Sequence, residues 1–212
     1  MTALPRALIH HATRQTARPG ALLAADTMED VGAGAFLVQE SGHERLSDLR
    51  RAVAAGFAGV ALSGCRQGEA LQRLAVLLDV AEAEEGMADG ALRILWLTDG
   101  ILPAPADLAA ALAITVRRLA GLVWDHGALV RTLGARRCET EAGNWTAPFA
   151  AARAAALLAG RAAGLPVYDS AEPHEPAIFA RICERSRDDG FYGCLAATTE
   201  QIAVIEQLYA VP

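Results

Sequence analysis

Short apolar runs alternate with longer, helix-favouring segments along most of the chain. The runs predict strands at Ala35 to Gln39, Gly59 to Leu62, Arg93 to Leu97, Gly121 to Trp124, Leu165 to Tyr168 and Gly193 to Ala196. The segments between them predict helices at about Leu46 to Ala55, Gln67 to Glu85, Ala106 to Ala113, Thr146 to Ala163, Glu175 to Asp188 and Thr199 to Tyr209. Such alternation is typical of βαβ units around a parallel sheet. The sequence therefore predicts an α/β fold.

The pattern weakens at the beginning of the chain. Arg6 to His10 and Ala21 to Ala24 are strand candidates, but the chain between them is short and basic, and Val31 to Ala35 is too short to hold a helix. A closed (β/α)8 barrel needs eight strands. We therefore expect a TIM-barrel-like fold that is shortened or incomplete at its N-terminal end, built by residues 1–212 as a single domain. Because an incomplete barrel exposes strand edges, we also expect a homo-oligomer, either a dimer or a trimer.

The composition excludes several classes of function. All 19 basic side chains among the 212 residues are Arg, so a Schiff-base lysine, a pyridoxal phosphate anchor and a standard phosphate loop are excluded. The net charge is −6 and the Arg residues are scattered, which argues against a nucleic-acid partner. No uncharged apolar run is long enough to span a membrane, and no signal segment is evident, so we expect a cytoplasmic protein without a membrane partner.

Acidic residues follow several of the predicted strands. Asp99, Asp125 and Asp169 stand at three separate strand ends, where parallel α/β folds bind their ligands. Carboxylates suit a hard cation such as Mg²⁺. The alternative is that these residues cap the following helices, as Asp commonly does in strand-to-helix loops.

Four further positions belong to this group of candidates. Asp26 and Glu29 follow the strand candidate at Ala21 to Ala24 and either join the acidic site or form a solvated turn. His126, directly after Asp125, is placed where a general base would lie, although a loop histidine is the plainer interpretation. Thr198, with Gln201 three residues later, has the form of a capping box.

The second half of the chain resembles the citrate lyase β-subunit and HpcH/HpaI aldolase family. The resemblance is carried by Gly121 to Arg137, which contains Trp-Asp-His and Leu-Gly-Ala, by Ala150 to Ser170, and by Asp189 to Ile202. Leu49 to Glu69 and Ala91 to Leu108 align more loosely, so the similarity covers most of the chain after about Phe36. It implies a TIM barrel with a Mg²⁺-dependent carbon–carbon lyase activity.

The chain departs from the pattern of that family at several motif positions. Gly127 and Ala128 stand where the family has an acidic pair that includes a metal ligand, and Asp99 stands where the family has a metal-binding Glu. Other replacements are Leu37 for a substrate-binding Arg, Ser63-Gly64 for Pro-Lys, and Ala197-Thr198-Thr199 for Ile-His-Pro. Asp125 is our candidate substitute for the lost metal ligand.

The resemblance and the strand-end residues together predict a divergent carbon–carbon lyase, similar to aldolases and to citryl-CoA or malyl-CoA lyases. Its substrate would be a small carboxylic acid or an acyl-CoA. In this prediction Mg²⁺ binds Asp99, Asp125 and Asp26, the chemistry involves Asp99, Asp125 and His126, and the substrate contacts Glu29, Asp169 and Thr198. The alternative is a non-catalytic relative that serves as a binding or assembly module with a partner protein.

Overall fold

The computed structural model describes residues 4–10, 18–27, 34–66, 68–102, 117–170 and 175–210. The strands are β1 (Ala7–Ile9), β2 (Leu22–Leu23), β3 (Phe36–Glu40), β4 (Gly59–Ser63), β5 (Arg93–Thr98), β6 (Leu119–Trp124), β7 (Val167–Asp169) and β8 (Gly193–Ala196). The helices are α1 (Leu46–Ala54), α2 (Gly68–Glu84), α3 (His126–Leu133), α4 (Ala147–Ala162), α5 (Pro176–Asp188) and α6 (Thr199–Ala210). A short 3-10 helix, Ala25–Thr27, follows β2.

All eight strands are parallel and form one sheet in the order β1-β8-β7-β6-β5-β4-β3-β2. An isolated parallel bridge between Ile9 and Ala21 brings β1 against β2, so the sheet curls into a nearly closed barrel. The predicted α/β, TIM-barrel-like fold is confirmed. The barrel is shortened at its N-terminal end, as expected, since β2 has two residues and a single bridge joins it to β1.

Two apolar layers hold the barrel together. One cluster takes a buried side chain from every strand and fills the interior: Leu8, Leu22, Phe36, Ala61, Leu95, Val123, Tyr168 and Leu195. The second and larger cluster lies between the strands and the surrounding helices and includes Trp96, Trp124, Phe149 and Phe179. Because neighbouring residues of a strand point to opposite faces, both layers are built from the same apolar runs.

The observed helices match the predicted ones with one addition. The helix α3, His126–Leu133, follows β6 directly and was not predicted, whereas the predicted helix at Ala106 to Ala113 lies outside the described residues. None of the described helices is long and apolar enough to cross a bilayer.

Candidate functional site

A pocket of about 230 Å³ opens at the carboxyl ends of β3 to β6. Its walls come from the residues that end these strands and from the first two turns of α3. The lining residues are Glu40, Ser63, Gly64, Cys65, Arg66, Leu97, Asp99, Asp125, Ala128, Arg131 and Thr132. We call it the rim pocket. Its position is where ligands of parallel barrels bind.

Asp99 is held in the rim pocket through both of its carboxylate oxygens. Its Oδ1 accepts a hydrogen bond from the backbone N–H of Ile101 at 3.0 Å, which fixes the orientation of the side chain. Its Oδ2 accepts from Nη2 of Arg66 and from Oγ1 of Thr132, each at 3.0 Å. The side chain is only 10% exposed. Asp99 is therefore a nearly buried carboxylate that is already paired with a cation of the chain.

Arg66 reaches Asp99 from the loop after β4. The loop turns at Gly64, whose φ of +67° lies in the left-handed region that favours glycine. The next residue, Cys65, is buried, and its carbonyl accepts a hydrogen bond from Nε1 of Trp96 at 3.3 Å. Arg66 itself is half exposed, with 54% of its side chain accessible, so its guanidinium lies at the open side of the rim pocket.

Asp125 lies on the next strand end and lines the same pocket as Asp99. The backbone N–H of Asp125 donates to the carbonyl of Thr98 at 2.9 Å, which brings the two strand ends together. Its Oδ1 accepts from the N–H of Ala128 at 3.1 Å and so caps α3. Its Oδ2 lies 3.7 Å from Nη2 of the exposed Arg131. The structure thus places Asp99 and Asp125 side by side, and it also gives Asp125 the helix-capping role that the sequence left open.

His126 is buried behind the rim pocket and is not among its lining residues. Its Nδ1 lies 2.5 Å from Oγ of Ser170, and its ring contacts Trp145 at 5.2 Å between centroids and Trp124 at 6.2 Å. The indole N–H of Trp124 has no hydrogen-bond partner in the part of the chain that the structure describes. His126 therefore packs into an aromatic group between the strands and α4.

Asp169 is turned away from the rim pocket and towards the helices. Its Oδ2 accepts from Nε and Nη2 of Arg153 at 2.9 and 2.6 Å and from Oγ of Ser186 at 2.6 Å. Burial by itself would lower the pKa of Arg153, but Asp169 and Asp189 outweigh it and raise that pKa. Arg153 and Asp169 therefore form a buried charged pair that joins α4, α5 and β7.

The remaining predicted site residues lie apart from the rim pocket or outside the described residues. Oγ1 of Thr198 accepts from the N–H of Gln201 at 3.3 Å, which is the predicted cap, while Oε1 of Gln201 accepts from the N–H of Ala197, the residue before the cap, at 2.7 Å. Asp26 is exposed in the 3-10 helix and does not line the pocket. Glu29 lies outside the described residues.

Within the described ranges, one set of three acids brings its oxygens within 4.8 Å of one another, as a metal site requires: Asp79, Glu82 and Asp89. Arg118, which precedes β6 and so lies at the amino ends of the strands, occupies this set. Its guanidinium donates to Glu82 at 2.6 Å and to Asp89 at 3.1 Å, and it also contacts Asp79. These acids hold a buried guanidinium at the end of the barrel opposite to the rim pocket.

The cationic side of the rim pocket was not predicted from the sequence. Arg66, Arg131 and Thr132 all line it, and none of them was singled out. Arg66 stands in the loop just beyond Ser63-Gly64, so a longer window after each strand would have found it. Arg131 and Thr132 need α3 to bring them back to the rim, and that helix was not predicted.

The comparisons with known proteins found matches by structure and none by sequence. No protein-family model matches the sequence, and no curated protein matches it. A citrate lyase from Burkholderia xenovorans LB400 superposes with a TM-score of 0.78 at 13% identity, over 100% of this chain and 78% of the other. The citrate lyase β subunit of Mycobacterium tuberculosis superposes with a TM-score of 0.67 at 16% identity, over 90% and 86% of the two chains. This chain has the citrate lyase β-subunit fold.

The resemblance inferred from the sequence is thus confirmed at the level of the fold. Identities this low show the fold alone. One solved structure of the M. tuberculosis protein CitE contains magnesium and pyruvate, and it matches with a TM-score of 0.69 at 15% identity over 89% and 80% of the chains. Another, which contains magnesium, acetoacetate and coenzyme A, matches with a TM-score of 0.69 at 16% identity over 89% and 72%. Small carboxylates, magnesium and coenzyme A are thus ligands of those neighbours.

Proposed function

We propose that this chain is a divergent relative of the citrate lyase β-subunit and HpcH/HpaI family that binds a small carboxylic acid, free or as its acyl-CoA thioester, in the rim pocket. One observation carries the proposal. The Arg66 guanidinium is anchored on Asp99 in a pocket of about 230 Å³ at the carboxyl ends of the strands. The carboxylate ligands of the structural neighbours support the same class of ligand.

The charges of the rim pocket suit a small anion with a polar group beside its carboxylate. Arg66 and Arg131 supply two guanidinium groups, which give charge-assisted hydrogen bonds to carboxylate oxygens. Asp99 and Asp125 balance them, and Asp125 offers an acceptor to a hydroxyl group of the ligand. A pocket of about 230 Å³ has room for a small carboxylic acid, so the remainder of an acyl-CoA would extend out of the barrel.

The activity that we propose for this site is carbon–carbon bond cleavage of a hydroxy acid. A carboxylate of the pocket, for which Asp125 is the candidate, accepts the proton of the substrate hydroxyl while the neighbouring carbon–carbon bond breaks. The electron pair of that bond moves into an enolate, which Arg66 stabilises because its charge faces the developing negative charge. The products are a carbonyl compound and an enolate that takes up a proton.

The residues present do not fit the magnesium ion that the sequence predicted and that the structural neighbours contain. Mg²⁺ takes oxygen ligands in near-octahedral geometry, usually one or two protein carboxylates together with water. Oδ2 of Asp99 already accepts from Arg66 and Thr132, and Oδ1 of Asp125 already caps α3. A metal ion on Asp99 would first have to displace Arg66. The proposed cleavage therefore does not use the magnesium ion that the sequence predicted.

A second function is supported by the same contacts. Asp99 and Asp125 both have structural partners, and several motif positions of the family are replaced in this chain. Both facts are expected of a relative that keeps the fold and binds a ligand or a partner protein without catalysing a reaction.

The experiment that tests the proposal combines binding with turnover. Pyruvate, acetoacetate and oxaloacetate are titrated into the protein by calorimetry, and malyl-CoA and citryl-CoA are incubated with it while acetyl-CoA release is followed by chromatography. Binding with turnover that is lost in Asp125→Asn supports the lyase. Binding without turnover supports the non-catalytic relative, and no binding of any of these compounds overturns the proposal. Asp189→Asn, an exposed acid outside the pocket, is the matched control.

We also propose that the chain forms a homo-oligomer, as the sequence predicted. The bridge between Ile9 and Ala21 covers the strand edges on which the expectation was based. Apolar side chains nevertheless remain exposed on the outer face of α2, with Val76 at 60% and Val80 at 39%. Light scattering at micromolar concentration tests for a dimer or trimer, and a stable monomer would contradict it. The cytoplasmic location likewise stays a prediction.

A further inference from the structure

We propose that Arg66 is the resident cation of the rim pocket: it occupies the side of Asp99 that a divalent ion would need and binds the carboxylate of the ligand, so that ligand binding needs no metal. This inference rests on the proposed function. It adds the residue that recognises the ligand and the independence of that recognition from divalent ions.

The first support is a closed triangle of hydrogen bonds. Nη2 of Arg66 donates to Oδ2 of Asp99 and to Oγ1 of Thr132, and Thr132 donates in turn to the same Oδ2, with all three distances at 3.0 Å. A threonine hydroxyl has one donor and two acceptor positions, so it can serve both neighbours at once. The triangle holds the guanidinium in one orientation against the carboxylate.

The second support is that Oδ2 of Asp99, the oxygen that faces the pocket cation, is occupied. Oδ2 accepts from two donors and Oδ1 accepts from the N–H of Ile101. Each carboxylate oxygen has about two acceptor positions. A divalent ion that took Oδ2 would have to break the charge-assisted bond from Arg66 and place a second positive charge next to the guanidinium. Arg66 and a metal ion therefore compete for the same oxygen.

The third support is the free side of the guanidinium. Both hydrogen bonds that Arg66 makes within the described residues leave from Nη2, and 54% of the side chain is exposed. The N–H groups of Nη1 and Nε are thus left for a ligand. Both two-donor edges of a guanidinium include Nη2, which Asp99 and Thr132 occupy, so the ligand carboxylate accepts single charge-assisted hydrogen bonds from Nη1 or Nε.

The loop that carries Arg66 is anchored, which limits the entropy lost when a ligand binds. Cys65, the residue before Arg66, is buried, and the indole of Trp96 holds its carbonyl at 3.3 Å. A preorganised donor costs less to use than a mobile one. The backbone of the loop therefore holds Arg66 at the mouth of the pocket.

A second guanidinium lies among acidic side chains elsewhere in the chain. Asp79, Glu82 and Asp89 bring their oxygens within 4.8 Å of one another, and the group that lies among them is the guanidinium of Arg118. The two sites differ in their exposure, since the side chain of Arg118 is 6% exposed and that of Arg66 is 54% exposed. Arg118 is thus closed off as a structural cation, whereas Arg66 is open to a ligand.

The test measures pyruvate and acetoacetate binding by calorimetry, once with a chelator and once with millimolar Mg²⁺. We expect dissociation constants that agree within about twofold, and a loss of about tenfold or more in Arg66→Gln, as charge-assisted hydrogen bonds provide. Arg66→Lys should recover only part of the affinity. Arg117→Gln, at an exposed Arg before β6, is the matched control and should bind like the unchanged protein.

A metal titration gives a second readout that does not depend on activity. Mg²⁺ should leave the melting temperature of the unchanged protein where it is, and it should raise that of Arg66→Ala, in which Asp99 is free to bind it. The double variant Arg66→Ala/Asp99→Asn should lose this response. Binding that requires Mg²⁺ and survives Arg66→Gln would overturn the inference while the proposed function stands. No binding in either condition would overturn both.

Discussion

Arg153 and Asp169 form a buried ion pair between the middle of α4 and the end of β7. Two nitrogens of Arg153 donate to the same Oδ2 of Asp169, at 2.9 and 2.6 Å, and the exposed fractions of the two side chains are 12% and 2%. The carboxylate that the sequence placed near the substrate is thus directed into the layer between the helices and the barrel. Its contacts are those of a structural charge.

Replacing Arg153 by Ala should destabilise the fold strongly. The substitution leaves the Asp169 carboxylate buried without its cation, and such losses cost about 3–5 kcal/mol. Urea unfolding followed by circular dichroism measures the change in the free energy of unfolding.

Asp189 provides the control for this prediction. Its Oδ2 accepts from Nη1 of the same Arg153 at 2.7 Å, but 44% of its side chain is exposed. Asp189→Asn should therefore cost less than about 1 kcal/mol. Equal losses in the two variants would show that burial of the pair does not determine the stability.

Glu82 should make the stability of the barrel depend on pH. Burial by itself would raise the pKa of Glu82, but hydrogen bonds from Arg118 and from the N–H groups of Leu92 and Gly90 outweigh it and lower that pKa below its usual value of 4.5. A carboxyl group with a lowered pKa in the folded state stabilises the fold above its unfolded pKa. This contribution is lost as the pH falls through the folded pKa.

Unfolding measured between pH 7 and pH 3 should therefore show a loss of stability below about pH 5, part of which is due to Glu82. In Glu82→Gln the share of this acid-induced loss that is due to Glu82 should be absent. The variant should already be less stable than the unchanged protein at pH 7, by about 3 kcal/mol, because the buried charge of Arg118 then has weaker partners. Glu69→Gln, at an exposed position in the first turn of α2, is the control. Parallel pH curves for the Glu82 variant and the unchanged protein would contradict the prediction.

The strands could be predicted from the sequence because their signal is local. An apolar run bounded by glycine is visible without knowledge of the rest of the chain, and β8 was predicted with its exact bounds. The short strands β1 and β2 remained doubtful because two or three apolar residues carry little pattern. Their pairing depends on the closure of the barrel, which is a long-range property.

The carboxylates of the site could be predicted from the sequence, whereas its cations could not. Asp99 and Asp125 come directly after strands, and parallel strands bring such residues to one rim. The direction of Asp169 could not be predicted, because a one-residue change in where β7 begins decides which face it takes. Arg66 reaches the pocket through a long side chain from a loop, and no periodic pattern marks such a contact.

Gly160 lets α4 lie close to β7. A Cβ added at this position would collide with a methyl group of Val167, which is fully buried. Gly160→Ala should therefore destabilise the fold by about 1–3 kcal/mol, although alanine is the better helix former. The double variant Gly160→Ala/Val167→Ala removes the methyl group and should recover part of the loss. Thermal unfolding measures both, and a Gly160→Ala variant as stable as the unchanged protein would contradict the close packing.

Asp125 has two separable effects, one on stability and one on ligand binding. As the cap of α3 it accepts from the N–H of Ala128, and Asn can keep this bond while Ala cannot. Asp125→Ala should therefore cost about 1 kcal/mol of stability, and Asp125→Asn should cost a few tenths at most.

Ligand binding should change in the same direction in both variants of Asp125. Each removes a negative charge from the wall of the rim pocket, so pyruvate should bind to both about two- to fivefold more tightly, as the repulsion between like charges near a wet surface implies. Calorimetry in the presence of a chelator measures this affinity, and chemical unfolding measures the cap. If Asp125 instead held a cation that bridges to the ligand, both variants would bind pyruvate more weakly once Mg²⁺ is added. The sign of the change in affinity therefore decides whether this carboxylate repels the ligand or binds it through a metal ion.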